Sequence, residues 1–306
     1  MDRNLRAFGA VVTTGNLTAA AARIGLTQPA LTKTIRRLER EFGARLFMRT
    51  PRGMVLTEAG HRLHMRVQAI EMHYRQAEEE VHAITSGRLR RFNIAAGAVY
   101  HMTMAPDLVK LLSSEFPETD FSLDFDVAGL TLPKLVDGEI DLMLGALHGV
   151  PPEGISRLKF LGVSITPYCC RHSRLAARPE IEAADLANCR WIIYKRDRLL
   201  AERLRVYCSD HMLPPPAIRM EIDVLAASFR MVSGTEFLTL APTSLEGVAA
   251  AAGLVPLRLE RPIWKFASGA WFRKSSSEYP IMRRALQMLP ILAEDAAQQG
   301  YNLQLY

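Results

Sequence analysis

LTQPALTKTIRRLE, residues 26–39, is the stretch whose reading decides the rest of the chain. Thr27 is a natural helix N-cap, and Pro29 falls in the first turn, where a missing N–H costs nothing. Leu31, Ile35, Leu38 and Phe42 then recur at i, i+4, i+7 and i+11, a narrow apolar stripe. At about 100° per residue, Pro29, Thr32, Lys33, Arg36, Arg37 and Arg40 lie on the other side. One face of this helix is for burial, and the other carries hydroxyls and cations that packing leaves free.

Upstream, Leu5, Phe8 and Val12 repeat at helical spacing until Gly15-Asn16 ends that helix. Thr18 can cap a short alanine-rich helix running to about Ile24, and Gly25 supplies a sharp turn. A basic surface helix alone is usually a solvated face. A preceding helix, a Gly turn and a Thr-Gln-Pro opening together predict a helix-turn-helix, whose second helix can enter the major groove.

Downstream, LFMRTPRGMVLTEAG (residues 46–60) alternates around Thr50-Pro51-Arg52-Gly53, which predicts a two-stranded wing. Arg52 at its tip could reach a phosphate or the minor groove. Thr57 and Glu58 open a long helix in which Leu63, Val67, Ile70, Tyr74, Ala77, Val81 and Ile84 keep a heptad seam. The seam predicts dimerisation, because a helix-turn-helix protein needs two heads for two half-sites; packing within its own domain is the alternative. His61 and His64 stand at i, i+3 on this helix without an evident third ligand, so no metal site is expected.

Charge supports the same division. Residues 1–66 hold 12 Lys and Arg against 4 Asp and Glu, net +8; the remaining 240 residues hold 26 against 28, net −2. A cationic head on a neutral body is the electrostatic footprint of a nucleic-acid binder. The 306-residue length points to two or three domains. No apolar run reaches the roughly 18 residues of a membrane span, and MDRNLRAFGA lacks a signal peptide's apolar segment, so a soluble, cytoplasmic protein is expected. Cys169, Cys170, Cys189 and Cys208 lack CxxC spacing and read as reduced, structural thiols.

Beyond the solvated RLRR segment at 88–91 the pattern changes. A strand is expected near 92–96, a helix over about 103–115, alternation in FSLDFDV, a short helix over 131–137 and the strand IDLMLGA. SITPYCC, WIIY, a helix around 198–212, AIRMEID, LAASFRMVS, FLTLAP, the strand GAWFR and a last helix over 279–297 follow. Strands alternating with helices predict a parallel α/β sheet. No P-loop, nucleophile elbow, GxGxxG after a strand or HExxH occurs, and Glu139 and Asp141 more simply flank a helix-to-strand turn, so catalysis is not expected.

The run from Gly15 to Gly60 resembles the N-terminal winged helix-turn-helix of LysR-type transcriptional regulators, and looser similarity continues through GEIDLMLGA, RHSRLAA and SGTEFLTLAP. The resemblance implies an N-terminal all-α winged helix-turn-helix over 1–57, a linker and dimerisation helix over 58–87, and a C-terminal α/β effector domain over 88–306 similar to periplasmic binding proteins. That domain would have two subdomains, about 88–161 with 269–306 and about 162–268, crossed twice by the chain. The implied function is a bacterial sequence-specific DNA-binding regulator, controlled by a small-molecule effector in the cleft. Double-stranded operator DNA, RNA polymerase and further copies of the chain, as a homodimer and a homotetramer, would be its partners, and no other cofactor is implied.

By position the resemblance places DNA contacts at Gln28, Pro29, Thr32, Lys33, Arg36 and Arg52, and the effector at Val99, Tyr100, His101, Gly129, Thr131, Tyr194 and Lys195. Gln28 suits an adenine edge, Thr32 a base or thymine methyl, and Lys33 and Arg36 guanine or phosphate. Where the family often has Ser or Thr near position 99 to hold a carboxylate, this chain has Val99, a departure from small-acid recognition. Two other readings compete. A solute-binding module would need a signal peptide, and an architectural DNA protein would bind with little sequence preference, its C-terminal part serving only to oligomerise.

Overall fold

The computed structural model describes the chain except at Met1, Arg52, Gly87, Arg88, Asp126, Val127, Arg196 and Asp197, and except for the side chains of residues 75, 76, 79, 80, 82–86, 128–130 and 198. It divides into two compact units, Met1–His82 and Ala83–Tyr306.

The first unit contains α1 (Arg3–Thr14), α2 (Leu17–Arg23), α3 (Gln28–Glu41), β1 (Phe47–Thr50), β2 (Gly53–Leu56) and α4 (Glu58–Ser86), the last helix running into the second unit. Thr27 caps α3, its hydroxyl accepting from the Ala30 N–H. The cap of α2 is Asn16 rather than Thr18. Its extended backbone aims the amide oxygen at the N–H groups of Thr18 and Ala19 (2.8 and 3.2 Å), so Thr18 falls inside the helix. Leu31, Ile35 and Leu38 are buried with Ala7, Phe8, Val11, Ala20 and Ala21 in one core. Each such Leu or Ile contributes roughly 1.5–3 kcal/mol. Phe42 leaves the expected stripe: it is the C-cap of α3, where the helix has ended, and is 51% exposed.

The wing pairs antiparallel from Phe47↔Leu56 to Thr50↔Gly53. Two contacts fix it. The Met54 N–H donates to the Gly15 carbonyl (2.8 Å), and a side chain on Gly53 (φ 118°) would come within 2.4 Å of that oxygen. The carboxylate of Glu39, on α3, accepts from the N–H groups of Leu46 and Phe47 (2.9 and 3.4 Å) where β1 begins. On α4, Leu63 and Val67 close the core, while Ile70, Tyr74 and Val81 are exposed. The side chain of Ile84 lies outside the described residues.

The second unit runs β3 (Arg91–Ala96), α5 (Ala98–Met102), α6 (Ala105–Glu115), β4 (Asp120–Phe125), α7 (Ala128–Val136), β5 (Leu142–Ala146), β6 (Ile155–Cys170), β7 (Arg190–Tyr194), α8 (Arg198–Asp210), β8 (Ala217–Ile222), α9 (Leu225–Val232), β9 (Phe237–Pro242), α10 (Glu246–Ala251), β10 (Leu254–Pro256), β11 (Trp264–Arg273), α11 (Pro280–Gln298) and β12 (Gln304–Leu305). The helix expected over about 103–115 is α6, with Pro106 in its first turn, where a missing N–H costs nothing; the loop expected after β3 is instead the short helix α5.

Strand order is β4-β3-β5-β11-β6-β9-β7-β8, with β10 and β12 also paired to β6. β4, β3 and β5 are mutually parallel and form one lobe; β9, β7 and β8 are mutually parallel and form the other. β6 and β11 join them, antiparallel to each other from Trp264↔Ile165 to Arg273↔Ile155. β11 pairs with β5 only as far as Ser268↔Ala146, and β6 pairs with β9 only from Ile165↔Pro242. A β-bulge between Ser268 and Gly269 marks the passage, where a side chain on Gly269 would strike the Leu158 carbonyl at 1.9 Å. In the first lobe, Arg273 donates to Asp141 (2.7 Å) and to the carbonyls of Leu135 and Ile140, and Asp141 also accepts from the Asn93 N–H (2.9 Å). This nearly buried pair ties α7, β3, β5 and β11 together.

Candidate DNA-reading face and ligand cavity

On α3, Gln28, Pro29, Lys33 and Arg36 are exposed and Thr32 is half-buried. Thr32 donates back to the Gln28 carbonyl (2.9 Å), and the Gln28 amide donates to the Thr32 hydroxyl (3.3 Å). These two side chains are thus pre-ordered on one turn. Among the described residues, the side chains of Lys33 and Arg36 have no hydrogen-bond or ion-pair partner, so their charges remain available to an anion. Arg37 is different: it donates to Asn4 and ties α3 to α1. Arg52, the expected wing contact, lies outside the described residues.

The second unit holds a cavity of about 1270 Å³ at the carboxyl ends of both parallel strand sets. This is where an open α/β sheet offers loop backbone and a crevice to a ligand. One lobe supplies Gly97–Tyr100 after β3 and Ala146 with His148 after β5; the other supplies Tyr194 and Lys195 after β7, Glu221 near the end of β8, and Leu240 and Pro242 on β9. The crossing strands supply Val163, Ile165, Trp264, Phe266 and Ser268.

Of the sequence-predicted effector residues, Val99, Tyr100, Tyr194 and Lys195 line this cavity. His101 does not; its ring packs on Phe125 (5.4 Å), which in turn meets Tyr194 edge-on (6.0 Å). Thr131 is fully buried on α7, which begins at Ala128 and so carries position 131 out of the expected loop; its neighbour Leu132 lines the wall instead. Gly129 lies on α7, and its surroundings fall outside the described residues.

Polar groups on the cavity floor satisfy one another. The Tyr100 hydroxyl donates to Ser268 Oγ (2.8 Å), which donates to the Gly145 carbonyl (2.8 Å). Burial raises the Tyr100 pKa well above its ordinary value, so the phenol stays neutral. Lys195 pairs with Asp223 (3.5 Å), and Glu202 with Arg205 (3.3 Å). His148 stacks on Trp264 (4.9 Å) and touches Phe266 (5.3 Å), and the Arg203 guanidinium lies over the same Trp264 ring, 5.3 Å from its centroid. Burial first, and then the Arg203 charge, lowers the His148 pKa, so the imidazole is neutral near pH 7.

His148, Trp264 and Phe266 were absent from the expectations. The only signal available was register: residue 148 falls opposite 266 when the β5–β11 pairing is extended, and that pairing is not visible in local sequence. The four cysteines are free thiols, and burial pushes Cys169 up to about 11 and raises Cys189 and Cys208 as well, which suits structural rather than reactive roles. Among the described residues, no group of three His, Cys, Asp or Glu could hold a metal ion, and no helix is long and apolar enough to cross a membrane.

A helix-turn-helix with a wing, followed by a two-lobed α/β unit crossed twice, defines a class. The profile of bacterial regulatory helix-turn-helix proteins of the lysR family matches residues 3–61, and the LysR substrate binding domain matches residues 85–290. The chain belongs to the LysR family of transcriptional regulators, which are not enzymes.

It is 30% identical over 182 residues to the HTH-type transcriptional regulator YybE of Bacillus subtilis, a match covering 59% of this chain and 62% of that protein. Against the regulator TdcA of Escherichia coli K12, identity is 22% over 97% of this chain and 94% of the relative. For the first several curated relatives the match spans about half to three-fifths of their length. In fold the chain is similar to full-length CbnR in complex with its target DNA (TM-score 0.66, 20% identity, 95% of this chain and 100% of that one). It is also similar to a mutant OxyR of Corynebacterium glutamicum (TM-score 0.57, 19% identity, 99% and 97%).

Proposed function

We infer that this chain is a cytoplasmic, sequence-specific DNA-binding regulator whose operator affinity is set by a small molecule in the cavity. The observation that carries the reading is the cavity itself: it opens where two lobes joined by only two strands face each other, so a ligand touching both can bias their relative position. α3 supplies the other half, with Gln28, Pro29, Thr32, Lys33 and Arg36 directed to the major groove and Arg52 to the backbone or minor groove. The exposed apolar positions Ile70, Tyr74 and Val81 on α4 fit a second copy of the chain, giving two reading heads; by analogy with the family, dimers pair into tetramers and contact RNA polymerase. An effector can shift the DNA-bound equilibrium only by its differential affinity for two conformations, typically about 1–3 kcal/mol.

The test is selection of bound fragments from a randomised DNA pool by the full chain, followed by competition against unselected DNA. A regulator enriches paired half-sites about one helical turn, or a multiple of it, apart and prefers them by roughly a thousandfold or more. Binding with a steep salt dependence but no enriched sequence would replace this reading by the architectural one.

A further inference from the structure

We propose that the cavity takes an uncharged aromatic molecule bearing a hydroxyl group, its ring against the Trp264–Phe266 wall and its hydroxyl on Nε2 of His148. The proposal rests on the reading of this cavity as the effector site and adds the chemical class of the effector. Four observations converge on it.

The wall is apolar and in part flat. Val163, Ile165 and Leu240 come from three positions on the central strands, and the Trp264 and Phe266 rings are 4.2 Å apart. Such a surface rewards a planar aromatic body by area burial and by offset ring contacts. The cavity volume leaves room for a bicyclic ring system.

The charges at the wall disfavour an anion. Lys195 is the one cationic side chain on it among the described residues, and it already pairs with Asp223. Glu221 adds a carboxylate to the same lining, while that of Glu202 is paired with Arg205. A ligand carboxylate would lose its hydration and meet like charge. A cation fares no better at the aromatic wall, because the Arg203 guanidinium already lies over Trp264 and would repel it.

The floor offers little to a strongly polar ligand. Tyr100, Ser268 and the Gly145 carbonyl are joined in a closed chain of donors and acceptors, and breaking it to serve a ligand would forfeit bonds already made.

His148 is the exception. Its ring forms part of the wall, yet Nε2 is buried without a hydrogen-bond partner. An unpaired buried nitrogen is costly, and a ligand hydroxyl that meets it once the imidazole turns it toward the cavity recovers that cost on binding. The neutral imidazole presents Nε2 as acceptor or donor according to tautomer, and a hydroxyl answers either. An apolar ring with one hydroxyl therefore matches both the wall and the Nε2 of His148.

The test is calorimetric titration of the full chain with three probes of one shape: 2-naphthol, 2-naphthoate and 2-methylnaphthalene. 2-Naphthol should bind about tenfold or more tighter than either of the others, the value of one hydrogen bond recovered. His148→Leu should erase its advantage over 2-methylnaphthalene, and His148→Gln, which keeps a donor and an acceptor, should retain most of it. The parent's ranking tests the ligand class even if a variant fails to fold. Equal or tighter binding of 2-naphthoate overturns the proposal while leaving effector control intact, and so does failure of all three probes to bind. A full 2-naphthol advantage in a folded His148→Leu variant removes His148 from the site. Bound 2-naphthol without any change in operator affinity overturns the effector reading on which the proposal rests.

Discussion

The outer face of α3 and the wall of the cavity do their work by opposite arrangements of polar groups. On α3, Lys33 and Arg36 keep their charges unanswered inside the chain, because a solvated cation costs nothing until phosphate or guanine displaces its water. On the cavity floor the polar groups answer one another, from Tyr100 through Ser268 to the Gly145 carbonyl, because an unanswered one would be expensive there. A surface for a polyanion can be written as a short run of exposed charges on one helix. An enclosed site has to be assembled from distant segments whose remaining polar atoms cancel.

Four substitutions and a pH series sharpen that contrast. The largest effect is expected from Arg273→Ala, which leaves Asp141 buried without its cation; unfolding of the second unit by denaturant should show a loss of about 3–5 kcal/mol. A loss below about 1 kcal/mol would mean that the first lobe does not depend on this pair. Arg36→Ala should lower operator affinity by about 1–3 kcal/mol in fluorescence anisotropy titrations while leaving 2-naphthol binding unchanged. Loss of cavity binding in that variant would dissolve the division of labour. Ser268→Ala should leave Tyr100 and Gly145 without their shared partner, at a cost of about 1–2 kcal/mol in stability against denaturant, with operator affinity of the ligand-free protein held. Glu39→Ala should cost about 1 kcal/mol and weaken operator binding slightly, since two N–H groups at the start of the wing lose their acceptor; hydrogen exchange at Leu46 and Phe47 would register it, and unchanged protection there would show that the wing holds without Glu39.

The smallest effect is a pH dependence. Burial lowers the pKa of His148, aided by Arg203, and that of His101, opposed by the nearby Asp124. In the unfolded chain both titrate near about 6.5. Between that value and the lower folded pKa the unfolded chain binds more protons, so this contribution to stability is fully present above about pH 6.5 and is lost as pH falls through the folded pKa. His148→Leu should flatten the acid-side decline in melting temperature; an undiminished slope would show that the folded chain protonates His148 freely.

How far sequence alone reached follows the same contrast. The helix-turn-helix was legible because its determinants are local: Thr27 and Pro29 open α3, Leu31, Ile35 and Leu38 set its inner face, and Gly15 stops α1. The displaced cap at Asn16 is a competition between two adjacent candidates that backbone geometry settles. The crossing strands were only partly legible. SITPYCC and GAWFR mark the ends of β6 and β11, but not their beginnings at Ile155 and Trp264. The cavity was legible only where a strand end announced itself, before Val99–Tyr100, which fold as the short helix α5, and at Tyr194–Lys195. His148, Trp264 and Phe266 look like ordinary core aromatics until strand pairing sets them side by side, and Thr131 was misplaced by the few residues that separate a loop from a helix.

The strand order also has a consequence for synthesis. The lobe built from β3, β4 and β5 leaves the ribosome first, yet its sheet is edged by β11, some 120 residues after β5 ends, and tied down by Arg273. While the second lobe is being made, the open side of β5 and the carboxylate of Asp141 stay uncovered. The lobe begun first is therefore finished last, and a ribosome pausing between residues 147 and 263 would hold an unpaired strand edge in the cell, the form of chain most exposed to aggregation and most in need of a chaperone.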